Sequence, residues 1–174
     1  MRILLVEDHP QLAESVAQAL RARHIHIMAG RAEGPQALET LVANLSWAAD
    51  RAPHASLTIE PTNTQDMPGY FLSDFDLAAE IIAEVGAPNL GLQFDAYQAQ
   101  MIHGDVLDLW RRLAPITRHV QVAGFPGRHE PRTGDIDFAR FYRALDEAGY
   151  DGWIGAEYTP LTSTEAGLRW LRSA

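Results

Sequence analysis

The chain has 174 residues, no cysteine and no lysine, 47% hydrophobic residues and a formal net charge of −9. That is one domain, large enough to bury a core of its own, and it lacks the residues for disulfides, zinc–thiolate centres or thiol nucleophiles, which leaves the redox compartment open. The acidic residues are spread along the chain with no opposing basic stripe, no apolar run nears the roughly 20 residues of a membrane span, and the start MRILLVED turns acidic too soon for a signal peptide; the expectation is a cytoplasmic protein without nucleic-acid or membrane partners.

In chain order, RILLV (Arg2 to Val6) reads as a buried strand ending in Glu7 and Asp8, and QLAESVAQALRAR as a helix with Leu12, Val16, Ala19 and Leu20 on one face. A second strand is expected over His24–Gly30 and a helix over Pro35–Asp50, buried through Leu38, Leu41, Leu45 and Ala48 or Ala49. A third strand follows at Leu57–Glu60. The loop after it, PTNTQDMPGYFLS, is too long and polar for a plain connector, and such loops at strand ends carry function. A helix over Asp74–Val85 is framed by a Ser73 or Asp74 cap and a Gly86 stop. Leu90–Asp95 is the fourth strand, with a helix in GDVLDLWRRLAP, and His119–Ala123 is the fifth, leading into GFPGRHEPRTGDI. A helix over Asp137–Ala148, a sixth strand over Trp153–Tyr158 and a closing helix over Ser163–Leu171 complete six βα units in one domain.

Four of these strands end alike. Each short, apolar run delivers one oxygen donor where strand gives way to loop: Glu60, Asp95, Gln121 and Glu157. In a barrel of parallel strands that is the face where chemistry happens, and four such donors meeting there suit Mg²⁺ or Mn²⁺. A strand-terminal carboxylate taken singly is more often a solvated residue, so the weight lies on the set. His24, His26 and His54 read as surface or packing residues, His103 and His119 as structural, and Trp47, Trp110, Trp153 and Trp170 as packing.

The segments HIMAG at His26, LTIEPTN to MPGYFLS, LQFDAY at Leu92, HVQVAGFPGRHEP at His119 and GWIGAEYTP to STEAGLRW resemble the hydroxypyruvate isomerases, TIM barrels of the sugar isomerase and epimerase superfamily. The resemblance implies a divalent metal on Glu60, Asp95, Gln121 and Glu157, and proton transfer by Glu60 and Glu157 on a small hydroxy-carbonyl acid. It also puts Asn63, His129 and Glu130 on loops suited to contacting substrate. Two positions depart from the family pattern: Gln98 stands where a histidine is usual and Thr159 where a lysine is frequent.

Residues 1 to about 23 resemble instead the first βα unit of a response-regulator receiver domain. Receiver chemistry needs an aspartate ending the third strand and a lysine after the fifth; Glu60 and the absence of lysine exclude it. The change of resemblance between Arg23 and His26 predicts a join, and hence an engineered chimera with little or no turnover; the alternative is a working isomerase. The expected fold is α/β, with six parallel units forming an incomplete TIM-barrel-like arc completed in a homodimer. A doubly wound, flavodoxin-like sheet, with the first strand moved to a central position, is the alternative.

Overall fold

The computed structural model describes residues 23–132 and 134–172. The expected strand over Arg2–Val6, its helix and the Glu7–Asp8 pair lie outside them. Five strands occur among the described residues: β1 (His24–His26), β2 (Ser56–Ile59), β3 (Leu90–Asp95), β4 (Thr117–Val122) and β5 (Ile154–Ala156). Their order in the sheet follows the chain, β1-β2-β3-β4-β5. Sequential order is what right-handed βα repeats produce, and it is the arrangement of an incomplete TIM barrel. It also corrects the flavodoxin-like alternative. That topology puts the chain's first strand between its second and third, whereas His24 pairs directly with Ser56 and His26 with Thr58, in parallel, leaving no room for a strand between.

The chain divides into two compact units, Met1–Gln93 and Phe94–Ala174. In the first, β2 pairs in parallel with β3 through Leu57–Leu90 and Ile59–Leu92. Helix α1 (Pro35–Arg51) starts after Gly34, which takes φ 86°, with proline in its first turn, where a missing N–H costs nothing. Its buried face is Leu41, Leu45 and Ala49; Leu38, expected with them, is only half-buried. Helix α2 (Phe75–Val85) is capped by Asp74, whose side chain accepts from Leu77 N, and stops at Gly86 in a left-handed conformation.

In the second unit the elements differ from those expected. The stretch after Asp95 is itself helical, α3 (Ala96–Ile102), followed by α4 (Val106–Leu113). Gly104 separates them at φ 85°. Strand β4 starts two residues earlier than expected, so Gln121 lies within the strand and only Val122 follows it there. It pairs with β5 through Val120–Ile154 and Val122–Ala156. Helix α5 (Phe138–Glu147) is capped by Asp137, and α6 (Thr164–Gly167) by Ser163, running on as a 3₁₀ turn over Leu168–Arg172.

The core of this unit is an aromatic cluster. Phe94 lies 5.3 Å from Trp110 and 5.9 Å from Phe141, and Trp110 lies 5.8 Å from Phe141, centroid to centroid. These are edge-to-face and stacked contacts of the kind that add to simple burial. The indole N–H of Trp110 donates to Ala144 O at 3.0 Å. Trp110 is thus the packing residue expected, but Trp47 and Trp153 are exposed at 53% and 58%. Trp47 is met on the helix surface by the Arg51 guanidinium, 5.5 Å from its ring, and Trp153 precedes the short, exposed β5.

Candidate functional site

In the first unit, the end of β2 delivers Glu60, 6% exposed. Gln93, one strand over, donates from Nε2 to Glu60 Oε2 at 2.7 Å. His26 brings Nε2 to 3.6 Å from the same oxygen. Thr58 Oγ1 donates to Gln93 Oε1 at 3.4 Å, and Gln93 Nε2 lies 3.3 Å from His26 Nδ1. A carboxylate this far from water must take hydrogen bonds from protein, and Gln93 supplies a short one. His26 is therefore misread as a surface or packing residue: it is 6% exposed and faces the carboxylate. Alternation along HIHI placed it on one face of its strand, but nothing in the sequence told which face looks inward. Gln93 leaves no signal in the sequence, because a polar residue inside an apolar run carries no motif.

The loop after Glu60 folds back on its own unit. Asn63 is buried, and its Oδ1 accepts from Gln65 N at 3.0 Å and Asp66 N at 2.9 Å while Nδ2 donates to Asp66 Oδ2. These contacts build the turn on which it stands. Tyr70 accepts from Ala29 N through its hydroxyl, and burial pushes that phenol up to about 12.

In the second unit Asp95 performs two tasks. Its Oδ1 caps α3, accepting from Tyr97 N at 2.7 Å and Gln98 N at 3.4 Å. Its Oδ2 faces the Arg128 guanidinium at 3.4 Å, and Arg128 also donates to Glu157 Oε2 at 2.9 Å. Carboxylate oxygens of Asp95 and Glu157 come within 4.8 Å of each other. Asp95 has no exposed surface, whereas the Glu157 side chain is 55% exposed. Burial pushes the Asp95 carboxyl up to about 6; the Arg128 charge and the two backbone N–H groups pull it down, and Glu157 pushes it up.

Arg128 reaches this position from a strained turn. It is the one non-glycine residue with positive φ, 55°, among those described, and it follows Gly127 at φ 93°. A Cβ on Gly127 would come to 2.8 Å from the His129 ring, so glycine is required there. The turn is tied to the chain after β5: Thr159 N donates to Arg128 O at 2.8 Å, and His129 Nδ1 donates to Thr159 O at 2.8 Å. Glu130 Oε1 accepts from Leu161 N at 3.2 Å. The guanidinium also lies 5.3 Å from the Tyr97 ring centroid. Outliers of this kind concentrate at functional sites. Arg128 lies in the glycine-bracketed GFPGRHEPRTGDI loop, where no local pattern gives its role.

Gln121 is 5% exposed, and Glu157 N donates to Val122 O, so both stand at the C-terminal end of the β4–β5 pair. Gln98, at the departure from histidine, is 1% exposed, and its backbone N–H caps against Asp95. Two carboxylates share one guanidinium here, a donor set short of positive charge and made of hard oxygens. A divalent cation such as Mg²⁺ or Mn²⁺ fits it.

Residues 12–174 match the sequence pattern of the family described as xylose isomerase-like TIM barrel. The 2-oxo-tetronate isomerase of Cupriavidus necator is 46% identical over 155 residues, covering 85% of this chain and 59% of its own length. The hydroxypyruvate isomerase of Escherichia coli is 37% identical, covering 89% of this chain and 62% of its own. Among solved structures, that of an AP endonuclease, family 2, from Brucella melitensis superposes with a TM-score of 0.88 at 38% identity, over 94% of this chain and 65% of that one. The chain therefore spans about three fifths of the length of these curated relatives. The match crosses residues 23–26 without a break and begins at residue 12, which corrects the expected join there and with it the chimera. A buried strand followed by an amphipathic helix is the repeat of βα folds in general, so the receiver-like wording of one such unit does not identify a second parent.

Proposed function

The chain belongs to the xylose isomerase-like TIM barrel family, and from that premise we propose that it catalyses a metal-dependent isomerisation of a small 3-hydroxy-2-oxo carboxylate, the class containing hydroxypyruvate and 2-oxo-tetronate. The observation that carries the reading is the Asp95–Glu157 pair. A fully buried carboxylate lies within 4.8 Å of a second one, its Oδ1 committed to a helix cap and its Oδ2 turned to a cation.

Glu60, Asp95, Gln121 and Glu157 are the proposed ligands. The metal would act as a Lewis acid, lowering the cost of negative charge on the substrate oxygens as an enediolate develops. Gln121, being neutral, keeps the set less negative than a fourth carboxylate would. Glu60 and Glu157 are the proposed proton carriers: one takes the proton from the hydroxyl-bearing carbon and the other returns a proton to the neighbouring carbonyl carbon, while the hydroxyl proton moves between the two oxygens. Arg128 supplies a fixed positive charge beside Glu157, and Asn63, His129 and Glu130 are the proposed substrate contacts.

The test is turnover of both acids, followed by NMR, in protein stripped of metal and then resupplied with Mg²⁺ or Mn²⁺. Turnover should require metal and fall by about 10²-fold or more in Glu60→Gln and in Glu157→Gln. Failure of metal-loaded, folded protein to convert either acid would overturn the reading.

A further inference from the structure

We infer that Gln93 is a positioning residue, which fixes the tautomer of His26 and holds the Glu60 carboxylate in one orientation. The inference follows from the direction of each hydrogen bond. An ionised carboxylate only accepts, so the group 2.7 Å from Glu60 Oε2 must be the amide nitrogen of Gln93 and not its oxygen. That settles the amide orientation, and it agrees with Thr58, whose hydroxyl donates to Gln93 Oε1 at 3.4 Å. The same Nε2 lies 3.3 Å from His26 Nδ1. An amide nitrogen donates and does not accept, so Nδ1 of His26 must be the acceptor, and the proton of the neutral ring sits on Nε2.

His26 Nε2 lies on the Glu60 side of the ring at 3.6 Å from Oε2, the oxygen Gln93 already holds, which is an electrostatic separation and not a hydrogen bond. Gln93 uses its two amide hydrogens on the two groups at once, so ring and carboxylate are aligned by a single side chain. All four residues are buried or nearly so, with Thr58 at 0% and Gln93 at 1% exposure, where an amide cannot exchange these partners for water. The resulting order, Thr58 to Gln93 to Glu60 and His26, resembles the outer hydrogen-bonding partners that orient ligands at metal centres. Its catalytic consequence rests on the role proposed for Glu60; the hydrogen-bond order itself does not.

The experiment is nitrogen NMR of the full chain labelled in its histidine rings and glutamine amides, at mildly alkaline pH, with His26→Asn used to assign the ring. Wild-type His26 should be protonated on Nε2 with Nδ1 accepting a hydrogen bond. Gln93→Leu should lose the Nδ1 hydrogen-bond shift and, in the isomerisation assay, lower kcat about 10–100-fold with KM little changed. A wild-type ring protonated on Nδ1, or ring signals unchanged in Gln93→Leu, would overturn the inference. Should Gln93→Leu fail to fold, the wild-type tautomer alone decides. Should wild-type protein convert neither acid, the reading of function fails while the NMR result still stands or falls by itself.

Discussion

Replacing Asp95 with asparagine isolates the cost of its buried charge. Asparagine is as good a helix cap as aspartate, so its Oδ1 keeps the bonds from Tyr97 N and Gln98 N, and what is lost is the charge together with the 3.4 Å contact that Oδ2 accepts from Arg128. The carboxyl is raised from 3.8 to about 6, and at 1.36 kcal/mol per pH unit this corresponds to roughly 3 kcal/mol. The folded protein holds this proton more tightly than the unfolded chain, so the stabilisation is fully present below about pH 4 and lost as pH rises through about 6. Asp95→Asn should therefore match wild type near pH 4 and exceed it by roughly 2–3 kcal/mol near pH 8. Urea unfolding of chelator-treated protein across that range measures the difference. Parallel stability curves for the two proteins would refute the assignment of a costly buried charge to Asp95.

Arg128→Ala removes the cation shared by Asp95 and Glu157 and should destabilise metal-free protein by about 1–3 kcal/mol, less than for a fully buried pair because Arg128 and Glu157 are partly solvated; thermal unfolding with and without Mg²⁺ should show a larger metal-induced rise in Tm than in wild type. Phe141→Ala opens the aromatic cluster against Phe94 and Trp110 and should cost about 3–5 kcal/mol in urea unfolding. Asp74→Ala removes the cap that accepts from Leu77 N and should cost about 1 kcal/mol, again by urea unfolding, without altering the slope.

The parts of this molecule legible from sequence were those governed by short-range rules. Strand termini at Glu60, Asp95 and Glu157 stood out because apolar runs stop there, and Asp74, Gly86, Asp137 and Ser163 announced helix ends. Helix α3 is not legible because its cap, Asp95, also ends an apolar strand as a candidate metal ligand, and one side chain with two tasks leaves one signal. Strand β4 was misplaced because Thr117 and Arg118 look like loop, although Thr117 is buried and its hydroxyl donates to Leu113 O. His26, Gln93 and Arg128 gain their roles only from contacts 29 to 67 residues away in sequence, and no local pattern encodes such a pairing.

Calorimetric titration of Mn²⁺ into metal-free protein tests the central claim most directly. A site built from Glu60, Asp95, Gln121 and Glu157 predicts about one ion per chain, with affinity falling as pH drops through the range in which Asp95 is protonated and binding abolished in Glu60→Gln and in Glu157→Gln. Cooperatively folded protein that binds no divalent ion, or binds it equally well in both variants, would contradict the account.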